Sequence, residues 1–423
     1  MRPTSRLLML AGWLVAATLP GVTRADDLDA LKLESAPEPA QKATGRPLRF
    51  FAEVGLGRVS QRYGQPGLDT RRISLDLSAT VNLSETWRAV ISDRLDHVQP
   101  TDSGAPSTVN SLREAYASWQ DAGGATVVEF GRINLRYGPA YGFNPTDYFR
   151  DGALRAVTTA DPFALRENRL GTVMLRAQRL WAGGGISLAL APKLADAPSS
   201  AGFGLDLGAT NNRNRAVLSW SHRLSDRVSG QMLVYSDQGQ GPQLGASATA
   251  LVSDAMVAHV EGSRGRVADV LASSLGQPDL EPARNRVAAG LTYTLPTRTA
   301  LTVEYEYNGA APDSAGWNAA AAGGPTALGQ YLLAAQQRQD SASRHAWLLY
   351  ASQKDLLLKS LDLTGLLRVN ADDHSRLAWL ELRYHWGKAD SALQWQHSQG
   401  RPLSEYGVLP YRQSVQLLGV WYF

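Results

Sequence analysis

The chain contains no cysteine, which removes disulfides, thiolate metal sites and cysteine nucleophiles together. Beyond its first 25 residues it has no charge-free apolar run of the roughly 20 residues that a membrane helix requires, and its mean hydropathy is −0.23. A charge excess is also missing. Lys and Arg number 42 against 39 Asp and Glu, a formal net charge of +3, and no basic block stands out. Nucleic acid is therefore not an expected partner. The seven histidines form no His-Glu-x-x-His motif and no glycine loop is built to cradle phosphate, so neither a metal nor a cofactor is expected.

Glycine (39), tyrosine (15) and tryptophan (11) are plentiful, a composition that suits β-structure with interfacial rings. The N-terminus reads as a secretory signal: Arg2 and Arg6 supply the positive region, Leu7 to Leu19 the apolar core, and Thr23-Arg24-Ala25 the cleavage site. A retained anchor helix is the alternative, but the apolar core is too short to span a bilayer. The expected division is a signal peptide over 1–25, a polar lead-in over 26–45 destined for the periplasm, and a β-domain over 46–423.

From residue 46 onward the hydrophobic period is two. Ile73, Leu75, Leu77, Ala79 and Val81 alternate with Arg72, Ser74, Asp76, Ser78 and Thr80. One face is wholly apolar and the other wholly polar, over a length that fits a tilted strand with lipid on one side and water on the other. The same grammar closes the chain, where Val415, Leu417, Gly419, Trp421 and the terminal Phe423 share one face. A free aromatic edge strand invites aggregation, and ring closure removes the edge. A buried terminal strand in a soluble sandwich is the bland alternative.

The pattern repeats about eighteen times, with a fifth strand expected over 124–137 and a sixth over 169–181. Links after even-numbered strands are short and those after odd-numbered strands mostly long, among them 138–168 and 309–342. Such parity belongs to an all-β, transmembrane, antiparallel up-and-down β-barrel with short periplasmic turns, long extracellular loops and both termini in the periplasm. Prolines fall in links or at strand ends. Trp87, Trp119, Tyr137, Trp181, Trp220, Trp386, Trp395 and Trp421 are placed to form an interfacial girdle.

Assigning the apolar face to lipid points Arg88, Arg94, Arg132, Arg136, Arg176, Arg368 and Arg383 inward, together with Glu114, Glu304, Glu306 and Glu381. A lipid-facing Arg at mid-depth costs about 2–4 kcal/mol, whereas a watery lumen tolerates it. Two readings stay open: salt-bridged ladders that stiffen the wall, or a pore lining in which excess Arg favours anions. The most distinctive stretch runs from Gly131-Arg132 through Tyr137-Gly138 to Asn144, Pro145, Thr146, Asp147, Tyr148, Phe149 and Arg150.

That stretch, with Leu112-Arg113-Glu114-Ala115-Tyr116 before it and the C-terminal strand, resembles a set of proteobacterial outer-membrane barrels, many uncharacterised and some near alginate-export porins. The resemblance implies a porin-like channel whose long loop folds inward, with Asn144 to Arg150 at the constriction, and a C-terminal signal read by the barrel-assembly machinery. The chain departs from those relatives at Tyr137, where many show Trp. An outward surface loop is the alternative for 138–168. Enzymatic activity is not expected. Ser221 and His222 are adjacent in a strand and face opposite sides, and no nucleophile accompanies His385 and Glu381. Asp372-Asp373-His374 reads as a solvated turn. The reading is thus a passive outer-membrane channel for small polar, mildly anion-preferring solutes, surrounded by lipid and lipopolysaccharide. The rivals are an export conduit for an anionic polymer or hydrophobic compound, working with inner-membrane and periplasmic partners, and a plugged structural or adhesion barrel.

Overall fold

The computed structural model describes residues 47–100, 106–238, 240–277 and 283–423. The expected signal peptide and lead-in lie outside the described residues. Eighteen strands follow one another in a single sheet. The first nine are β1 (Leu48–Gln61), β2 (Leu68–Asn82), β3 (Trp87–Gln99), β4 (Thr108–Gln120), β5 (Thr126–Ile133), β6 (Thr172–Trp181), β7 (Gly184–Ala191), β8 (Arg215–Ser225) and β9 (Val228–Asp237). The second nine are β10 (Gln240–Ser253), β11 (Met256–Arg266), β12 (Ala283–Thr294), β13 (Thr299–Asn308), β14 (His345–Gln353), β15 (Leu361–Asn370), β16 (Arg376–His385), β17 (Ala389–Gln399) and β18 (Tyr411–Tyr422). Among the described residues five helices lie in the links: α1 (Pro162–Glu167), α2 (Leu207–Thr210), α3 (Val270–Ser274), α4 (Ser314–Ala322) and α5 (Gly324–Gln337). None is long and apolar enough to cross a membrane.

Each strand pairs antiparallel with the next in sequence, and β18 returns to β1 in a register running from Phe51↔Tyr422 to Leu56↔Leu417 and beyond. The ring is closed, so the aromatic C-terminal strand has no free edge.

The inside-out polarity of the wall identifies its solvent. On β2, Ile73 is 52% exposed, while its neighbours Ser74 and Asp76 are 0% and 1% exposed. A water-soluble sheet would bury the isoleucine and expose the aspartate. Here the apolar face is turned out, as lipid requires, and the polar face is turned into a ring of ion pairs. The outward face of β18 follows suit, with Val415, Leu417, Trp421 and Phe423 all exposed. Trp87 and Trp119 are cross-strand partners beside the short turns, where Trp181 ends β6, Trp386 directly follows β16 and Trp421 lies one residue before the end of β18. Rings at one level of the wall suit a membrane interface.

Two expectations are corrected. β5 stops at Ile133, not at 137, because the chain leaves the sheet there. Side chains take over the hydrogen bonds of the missing ladder: Arg169 donates to the Leu135 carbonyl at 2.9 Å and to Asn134 Oδ1 at 2.8 Å, and Asn134 donates to the Arg166 carbonyl at 3.1 Å. Tyr137 is consequently no girdle residue. It is buried inside the ring in a cluster with Ile133, Leu135, Tyr148, Phe149, Met174 and Tyr235.

Candidate functional site

Residues 134–171 run inside the ring rather than over it. Their seat is built by inward-facing side chains of distant strands. On β13, Glu304 accepts from the backbone N–H groups of Tyr141 (2.7 Å) and Gly142 (2.9 Å), and His259 Nε2 of β11 lies 3.0 Å away. On β11, Glu261 accepts from Asn144 Nδ2 (3.0 Å) and Thr146 Oγ1 (2.5 Å). The Tyr148 ring stacks on Tyr235 of β9 with centroids 4.5 Å apart, and its hydroxyl meets Ser263 at 3.1 Å. Chain direction inside this turn depends on Gly138 (φ +88), where an added Cβ would sit 1.7 Å from Glu261 Oε2. A side chain there has neither room nor a relaxed backbone.

One buried ion pair holds the segment to itself. Arg169 reaches both Asp147 carboxylate oxygens, at 2.9 and 3.0 Å, from a fully buried position. Burial alone would push the Asp147 carboxyl up, but Arg169 and Arg166 outweigh it and hold it below the usual carboxylate range. Farther along, Arg150 bridges to Asp340 at 2.8 Å and donates to the Arg338 carbonyl beyond α5. The segment also touches the opposite wall. Arg72 of β2 donates to the Thr158 carbonyl at 2.6 Å, Arg113 of β4 to Asn168 Oδ1 at 2.9 Å, and Arg49 of β1 pairs with Glu167 at 3.5 Å. Tyr141 and Phe163 pack edge-on (4.8 Å) in an apolar cluster with Leu348, Leu366 and Trp379 of β14 to β16.

The inward charges are arranged in pairs. Arg94 lies 3.0 Å from Glu53 and 3.1 Å from Asp96. Arg113 grips Asp76 with two bonds of 2.7 Å. Arg88 and Arg176 share Glu129, at 3.7 and 3.3 Å. Arg368 binds Glu306 at 2.6 Å and Glu405 at 3.5 Å, and Arg383 binds Glu381 at 2.7 Å and Asp390 at 3.4 Å. Glu114 and Arg136 are half-buried near the point where β5 gives way to the segment.

Three expectations about these residues change. Arg132 does not face the lumen. It pairs in register with Ala115 and Val173, on the side occupied by Phe130 and Leu175, and is covered there by the Gly171 carbonyl (3.0 Å) and the Leu205 carbonyl. Glu304 and Glu306 do face inward, but at 0% and 1% exposure they seat the segment and its ion pairs instead of touching water. Arg94, 5% exposed, is likewise enclosed by its acids. The residues that sequence reasoning passed over are Arg113, Glu261 and Arg169. Glu261 was legible, since His259, Glu261 and Ser263 alternate with Val260 and Gly262. Arg113 was not: a register shift opposite Ser92 and Asp93 inserts it as an extra residue, so that Arg113 and the adjacent Glu114, which pairs with Ser92, are both taken off the outward face. His385, which shares a face with Glu381, bonds Asp390 at 2.7 Å and Asp362 at 3.1 Å. Among the described residues no group of His, Asp and Glu is placed to hold a metal ion.

A closed antiparallel ring with lipid-suited side chains outside, paired charges inside and a segment laid across the interior is a transmembrane up-and-down β-barrel. No protein-family model matches the chain and no curated protein matches it in sequence. Among solved structures it is similar to Acinetobacter baumannii OccAB1, at 10% identity and a TM-score of 0.59 over 93% of this chain and 99% of that one. It is also similar to Acinetobacter baumannii OccAB2, at 10% identity and a TM-score of 0.54 over 89% and 98%. At that identity the likeness is one of fold.

Proposed function

We propose that this barrel is a porin-like, passive channel in the outer membrane of a Gram-negative bacterium, taking small polar solutes, with residues 138–168 narrowing its lumen. The observation that carries the reading is the seating of Tyr141 to Thr146 on the inward carboxylates Glu304 and Glu261. A segment held by bonds from opposite sides of the ring reduces the cross-section without needing a moving part or a cofactor. Kinship with the barrels that share the Asn-Pro-Thr-Asp passage belongs to this reading, whereas polysaccharide export does not: a polyanion needs free, water-facing cations along its path, and the interior arginines described above are either paired with acids or, like Arg215 and Arg286, buried on neutral partners. For the same reason anion preference is weak, resting on paired arginines that keep some exposure, among them Arg88, Arg176, Arg368 and Arg383.

Reconstitution of the refolded mature protein in a planar bilayer tests the proposal. Discrete conductance steps, with a reversal potential in a salt gradient only slightly on the anion side, are expected. A strongly cation-selective potential would refute the charge argument. A barrel plugged for structural or adhesive work is the second reading, favoured by the packing of Tyr331, Ala335 and Ala342 with Val270 and of Leu328 with Val408 in the long links. A correctly folded protein that never conducts would establish it.

A further inference from the structure

Most charges of this interior are occupied by one another, but one part of the wall presents hydrogen-bonding groups that none of the described residues occupies. Register places Thr70, Gly57, Gln416 and Gln394 in one inward row across β2, β1, β18 and β17. The next row toward the long-loop end contains Val59, Ser414 and Gln396. Neither row contains an ionisable group. Gln394 donates to Glu381 at 2.5 Å. The side chains of Gln396, Ser414, Gln416 and Thr70 have no protein partner among the described residues, and all four are half-buried, hence reached by water.

The wall is recessed here because Gly55 and Gly57 contribute no side chains. A Cβ at Gly55 would meet Gln416 Nε2 at 2.6 Å, and one at Gly57 would meet the Thr70 hydroxyl at 2.7 Å. The Gln416 amide therefore lies flat along the wall over the two glycines. The row below holds Arg72, paired in register with Gly55, and Arg72 is the residue that donates to the Thr158 carbonyl. Val157, next to that contact, is 52% exposed. The inward segment thus approaches the wall beside the amide-lined recess, with a water-facing side chain turned out of it.

We infer that the β17–β18–β1–β2 wall is the solute lane, and that its solutes are uncharged and polyhydroxylated, of sugar or polyol class. This rests on the channel reading. The physical case is one of available partners. A hydroxyl-rich neutral solute leaving water needs replacement donors and acceptors along its path, and a buried polar group without them is costly. Amides and hydroxyls supply both roles on one side chain. A charged solute would find no free counter-charge in the two rows.

The experiment is osmotic swelling of liposomes containing the purified barrel, with glucose, gluconate and glucosamine as solutes of similar size and different charge. Glucose is expected to enter fastest. Gln416→Leu and Gln396→Leu are each expected to slow glucose entry about fivefold, the equivalent of one hydrogen bond lost along the path, while the conductance for small ions stays within twofold of wild type, as a rough bound. Gly57→Leu, which fills the recess, should slow both. The heat-dependent gel shift of each variant reports folding, and Gln416→Asn, which keeps an amide, should retain most of the glucose flux. Ion conductance with glucose entry unaffected by both Gln→Leu changes, or faster entry of gluconate than glucose, would overturn the lane and leave the channel standing. Absence of conductance in the folded wild-type protein would overturn both.

Discussion

Replacing Asp147 with Asn keeps the shape of the side chain and removes its charge, leaving the fully buried Arg169 with no counter-ion. Two bonds of 2.9 and 3.0 Å lose their charge-assisted character, and the amide of an asparagine would set donors against donors. Removing one partner of a buried pair costs about 3–5 kcal/mol. At about 1.4 kcal/mol per decade, the balance between seated and unseated segment shifts by roughly a hundredfold to a few thousandfold. Arg169 is also the residue that replaces the β5 ladder, donating to Asn134 and Leu135. The loss is therefore felt at the point where the chain leaves the wall. Single-channel recording of Asp147→Asn should show larger or noisier open levels than wild type, with the gel shift retained because the eighteen-strand ring does not depend on the pair. The double variant Asp147→Asn/Arg169→Met, with no stranded charge, should recover part of the wild-type pattern, since directly interacting residues are non-additive by about 0.5–3 kcal/mol. Traces for Asp147→Asn that match wild type in step size and noise would refute the claim that this pair seats the segment.

Acidification gives a second handle on the same pair. The folded Asp147 carboxyl sits below its ordinary value, so its contribution is complete above the unfolded pKa of about 3.9 and disappears as pH falls through the lower folded value. The stability difference between wild type and Asp147→Asn, from urea titrations in detergent, should be flat from about pH 6 to 8, roughly two units or more above the unfolded carboxylate value, and should shrink only in stronger acid. Glu304→Ala should unseat Tyr141 and Gly142 at a cost of about 1–3 kcal/mol for each donor left unpaired, read as a rise in protease cleavage within 138–150. Gly138→Ala should destabilise the same turn by more than about 1 kcal/mol, because the residue sits at φ +88 against Glu261, and a crystal structure with an undisturbed turn would contradict it. Leu417→Arg puts a charge on the lipid face of β18 and should cost about 2–4 kcal/mol near mid-depth, lowering refolding yield into vesicles. Phe423→Ser should reduce insertion in cells more than refolding in detergent if the terminal strand is read by assembly machinery.

The wall was legible because its physics is local. Alternate residues of a strand face opposite sides whatever the rest of the chain does, so Ile73 against Ser74 or Leu417 against Gln416 already states which face meets lipid. Link lengths then order the strands around the ring. The interior was legible only in type. That Asn144 to Arg150 forms a rigid turn could be read from Asn-Pro-Thr-Asp, but not that its seat would be Glu261 and Glu304, since those carboxylates lie more than a hundred residues away and are brought near only by closure of the ring. Arg132 failed as an interior residue because its register with Ala115 and Val173 puts it on the Phe130 side of β5, and the carbonyls that cover it come from Gly171 and the distant Leu205. Arg113 was passed over because its face is decided by one bulge, which leaves no mark in composition. Period and polarity belong to single strands and are written in order along the chain. Which charge finds which partner, and which amides are left facing water, depends on distances between strands that only the closed barrel defines.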